Sequence, residues 1–78
     1  MFTFDEVLTH NRDHFKAKVR NVKERFISSA VRRFMDEKPF RATVATVAQR
    51  HAAEELVAEE PNRWELNDGI LSLVTDGL

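Results

Sequence analysis

The sequence predicts an all-α fold: a small bundle of three helical segments, one of them long and basic, in a single domain over residues 1–78. Three observations predict it. Only two Gly and two Pro occur in 78 residues, so there are few places where a helix must stop. Apolar residues recur on one face, at 100° per residue, through most of residues 4–35. A helix-start signal at Thr3 and a helix-stop signal at Pro39 bracket that stretch.

The first helix opens on Thr3-x-x-Glu6, a capping box in which each side chain satisfies a free backbone N–H of the other residue. Phe2 and Val7 stand at the staple positions around it, and Asp5 and Glu6 put negative charge at the positive end of the dipole. Phe4, Leu8, Phe15, Val19, Val22, Phe26, Ala30 and Phe34 form the stripe. Thr9-His10-Asn11 is a poor helix former, so a break there is as open as continuity. Pro39 disfavours helical geometry at Lys38 and ends the segment. Unbroken, such a helix is a rod of ~50 Å at ~1.5 Å per residue. The remaining forty or so residues cannot easily cover it, and its stripe would then seek a second copy.

Residues 40–60 read as the second helix, capped by Thr43, with Val44, Val47, Ala48, His51 and Ala52 as a thin apolar face. A short strand over 40–44 is the minority reading. Residues 62–75 are read as the third helix, in which Asn62-x-x-Glu65 resembles a cap and Trp64, Leu66, Ile70, Leu71, Leu73 and Val74 fill half a wheel. Gly69 inside that helix costs ~1 kcal/mol against alanine, and Gly77 is its terminating residue. The alternative is a β-hairpin turning on Asn67-Asp68-Gly69. Phe15, Val19, Val22, Phe26, Phe34 and Trp64 are expected in the core or at a subunit seam.

Charge is sorted along the chain. Residues 10–33 hold eight Lys/Arg against Asp13 and Glu24, a net of +6; residues 34–78 hold four against nine acids, a net of −5. On a helix, Lys16, Arg20 and Lys23 form one row and Lys18, Arg25 and Arg32 a second, with His14 beside it. The rows flank the apolar stripe, as long cationic side chains do when their stems lie along a buried seam. These six residues are the candidate partner-binding set. They could meet an acidic protein surface, follow a phosphate backbone, or pair with the chain's own glutamates.

Other chemistries find little support. Thr43 to His51 looks like the first helix of a helix-turn-helix, but the following Ala53 to Glu60 has a net charge of −4 and no base-reading Arg, Asn or Gln. His10 and His14 have ligand spacing, yet no third ligand is obvious and Arg12 and Lys16 oppose a cation, so no metal and no cofactor is expected. Two glycines cannot build a phosphate-cradling loop, and no nucleophile or acid–base motif is present. There is no cysteine, no signal-like start and no membrane-length apolar run, which makes a soluble cytoplasmic protein the default. The expectation is a small non-enzymatic regulatory or inhibitory binding protein that acts through protein–protein contacts of its basic helix and self-associates. A sequence-tolerant nucleic-acid binder using residues 12–33 and a structural subunit of a larger assembly are the alternatives.

Overall fold

A computed structural model describes residues 3–74. It shows a mixed α/β domain, not the all-α bundle expected: a long helix, a second helix and a three-stranded antiparallel sheet. The long helix α1 runs without a break from Phe4 to Met35, 32 residues. Thr3 Oγ1 accepts from the Glu6 N–H at 3.2 Å, and the Glu6 carboxylate accepts from the Thr3 N–H at 3.3 Å. The capping box is therefore complete, while Phe2, the outer staple residue, lies outside the described residues. The helix ends in a Schellman motif: the Glu37 N–H donates to Phe34 O at 3.2 Å and the Lys38 N–H to Arg33 O at 3.0 Å. That motif puts Glu37 at φ 57°, a left-handed position that suits glycine better.

After Pro39 the chain is extended, not helical. Strand β1 spans Arg41–Thr43, and helix α2 begins only at Val47 and runs to Glu59. Its cap is Thr46, not Thr43. Thr46 Oγ1 accepts from the Gln49 N–H at 3.1 Å, and Gln49 Oε1 accepts from the Thr46 N–H at 3.0 Å. Pro39 explains the correction, because it confines its neighbourhood to extended geometry, which three further residues use to join a sheet.

The tail is a hairpin. Strand β2 spans Trp64–Asn67 and β3 spans Ile70–Leu73, joined by Asp68 at φ 52° and Gly69 at φ 73°. Two successive positive φ angles identify the mirror-image turn whose twist matches antiparallel strands, and Asp-Gly is among its preferred pairs. The helical reading of residues 62–75 is thus overturned over its described part; Thr75 and the terminating Gly77 lie outside the described residues. β3 is the central strand, in the order β1-β3-β2. Ala42 and Leu66 both pair with Leu71, and Trp64 pairs with Leu73, so one face of the sheet is apolar. Arg41, Ser72 and Glu65 share the opposite face.

The core lies between that apolar face, α1 and α2. It holds Val19, Phe26 and Ala30 of α1, Ala52, Ala53 and Leu56 of α2, with Phe40, Trp64 and Leu71. Phe40 stands edge-on to both Phe26 and Trp64, with ring centroids 6.4 and 5.8 Å apart, a favoured aromatic arrangement. Ala52 and Ala53 are fully buried; their small side chains let α2 approach α1 closely. Phe15 and Val22 are half-buried against the core. Phe34, expected inside, is 59% exposed, because the chain turns away into the Schellman motif before anything can cover it.

Candidate partner-binding surface

The position of α2 on α1 decides what each cationic row can do. Near the start of α2, His51 meets Phe15 edge-on at 5.2 Å. Near its end, Glu59 and Glu55 reach Lys23 Nζ at 2.7 and 3.5 Å. The positive N-terminus of α2 therefore lies on the Lys18 and Arg25 flank of α1, and its acidic C-terminal end on the Lys16, Arg20 and Lys23 flank.

On that second flank the charge is used internally. The Lys23 side chain is only 20% exposed and takes both carboxylates, and its pKa is raised, chiefly by the hydrogen bond to Glu59 and then by the charges of Glu59 and Glu55 against a small opposing desolvation. Lys16 and Arg20 sit in the same row, exposed, with no ion pair among the described residues. The two carboxylates are 53% and 59% exposed, so this pairing stabilises the fold modestly, by about 0.2–1 kcal/mol per pair.

On the other flank nothing acidic answers. Lys18, Arg25 and Arg32 are exposed and make no ion pair among the described residues. A groove of about 530 Å³ lies here between α1 and the first turn of α2. Phe15, Val22, Val47 and Ala48 supply its apolar surface, with Lys18 and Arg25 at its edge. Val47 is 65% exposed, a high value for a residue beside the core. The first turn of α2 contains no acid, so its dipole adds to the positive field of the two cations.

The structure thus splits the six predicted residues. Lys18 and Arg25 share the groove, Arg32 continues their row toward the helix end, Lys23 is neutralised, and Lys16 and Arg20 lie apart from the groove. Val47 and Ala48 went unrecognised as surface partners of that row. The Thr46-x-x-Gln49 capping box was the signal that could have placed them in a helix's first turn. His10 and His14 are both exposed, and among the described residues no three His, Cys, Asp or Glu are grouped as a metal site. Among those residues, no helix is long and apolar enough to cross a membrane.

Comparison of the chain with protein-family models, with curated proteins and with solved structures finds no match in any of the three.

Proposed function

We propose that this chain is a small non-enzymatic regulatory or inhibitory binding protein whose groove between α1 and the start of α2 receives an acidic, partly apolar segment of another protein. One observation carries the reading. The Lys18–Arg25–Arg32 row has no acidic partner within the described residues, while the neighbouring row is met by the protein's own glutamates. Unanswered cations beside exposed Val47 and half-buried Phe15 and Val22 suit a ligand with carboxylates and apolar side chains. A phosphate backbone would use the cations and leave the apolar floor idle, so nucleic acid is the second reading.

The test compares capture from host extract by wild-type protein, by Lys18→Glu/Arg25→Glu and by Lys16→Glu/Arg20→Glu. The reading requires a protein retained by the wild type and by the Lys16/Arg20 variant, and lost by the Lys18/Arg25 variant. Equal retention by all three overturns it. Retention of nucleic acid in place of protein, falling steeply with salt, transfers the assignment to the second reading.

A further inference from the structure

The first eleven residues of α1, Phe4 to His14, are all exposed and project past the domain, which is 54 Å long and only 20 Å across. Phe4 is 77% exposed, with Leu8 and Val7 at 46% and 43%. These residues do not form a separate surface. Phe4, Leu8, Asn11, Phe15, Lys18 and Val22 follow one another at alternating steps of four and three, the spacing of a helix–helix seam. α2 and the sheet close the α1 core at Val19, Phe26 and Ala30; at the projecting end nothing in the described chain covers the seam.

We propose that a second copy of this chain covers it, with the two projecting ends lying antiparallel about a two-fold axis beside Asn11. In that register Phe4 of each copy comes level with the Phe15–Lys18 turn of the other and enters the mouth of its groove. Asp5, on the flank of the seam, comes within one helical residue of the level of Lys16 of the other copy, so an acid and a cation meet twice by symmetry. A parallel pairing would set Asp5 against Asp5 and Lys16 against Lys16. The antiparallel pair also places Asn11 against Asn11, the single polar position in an otherwise apolar overlap. A lone buried asparagine of this kind is a known means of fixing helix register. The inference rests on the groove reading above, and gives the groove its occupant when no other protein is bound.

The chain has no cysteine, so single cysteines are clean probes. Light scattering over a wide concentration range should show the wild type approaching twice the 9.1 kDa monomer mass. Leu8→Glu should remain monomeric and folded, since a carboxylate near a helix N-terminus suits the dipole. Asp5→Lys should weaken the dimer and Asp5→Lys/Lys16→Asp restore it. On oxidation Asn11→Cys should link to itself, and Ser28→Cys, exposed on the far side of α1, should not. A wild type monomeric at every concentration overturns the inference, as does a dimer indifferent to Leu8→Glu or linked equally through Ser28→Cys. Leu8→Glu leaves the groove intact, so its retention of the captured protein keeps the groove reading alive whether or not the dimer exists. Loss of neither dimer nor captured protein in Lys18→Glu/Arg25→Glu defeats the groove reading itself.

Discussion

Two flanks of one helix carry three cations each, in rows of similar spacing, and behave differently. Lys16, Arg20 and Lys23 lie where α2 brings its acidic end; Lys18, Arg25 and Arg32 lie where α2 brings its uncharged first turn. The difference comes from the crossing of a second helix whose own charge is uneven. A charge count along a chain therefore locates potential, and only the packing decides which part is spent inside the fold.

The comparison can be broken wholesale by removing what holds α2 in place. Phe26 is 7% exposed and stands edge-on to Phe40, so Phe26→Ala should lower unfolding free energy by about 3–5 kcal/mol. In a domain of this size that removes most of the stability, and thermal unfolding should show it. The hairpin supports the same core from the other side. Gly69 has room for a Cβ, the nearest atom being Val44 O at 3.9 Å, but its φ of 73° disfavours any side chain. Gly69→Ala should cost about 1–2 kcal/mol through the backbone alone, measurable by denaturant titration. Where α1 leaves both flanks, Glu37 occupies the left-handed position of the Schellman motif. Glu37→Gly should raise stability by up to ~1 kcal/mol, with the rows untouched.

A smaller effect separates the flanks by pH. The folded-state pKa of Lys23 is raised above its unfolded value, so its contribution is fully present below the unfolded lysine pKa, about 10.4, and is lost as pH rises through the folded value. Stability measured from neutral to strongly alkaline pH should fall more for the wild type than for Lys23→Met. Lys18→Met should follow the wild-type profile.

The bounds of α1 were legible in the sequence because they rest on local chemistry: Thr3 and Glu6 for the start, Pro39 for the stop. β1 was not, since Arg41-Ala42-Thr43 is too short to show an alternation and takes its strand geometry from pairing with β3. Thr43 and Thr46 competed as caps, and Gln49, which completes the box for Thr46 alone, was the deciding residue. In the tail, Trp64, Leu66, Leu71 and Leu73 satisfy a period of two as well as half a helical wheel, so density of apolar residues masked the period. Asp68-Gly69 carried the correct answer through its tolerance of positive φ. The two cationic rows could be drawn on a wheel, but their inequality could not. It depends on Glu55 and Glu59 meeting Lys23 across more than thirty residues of chain.

The most direct measurement of that inequality is the unfolding free energy of two charge reversals made side by side. Lys23→Glu sets a third carboxylate against Glu55 and Glu59, whereas Arg25→Glu faces no acid within the described residues. The account predicts a loss of about 1–2 kcal/mol for Lys23→Glu, shrinking in high salt, and a change within about 0.5 kcal/mol for Arg25→Glu. Equal losses at the two positions would show that both flanks serve the fold, and would contradict the division on which the binding surface rests.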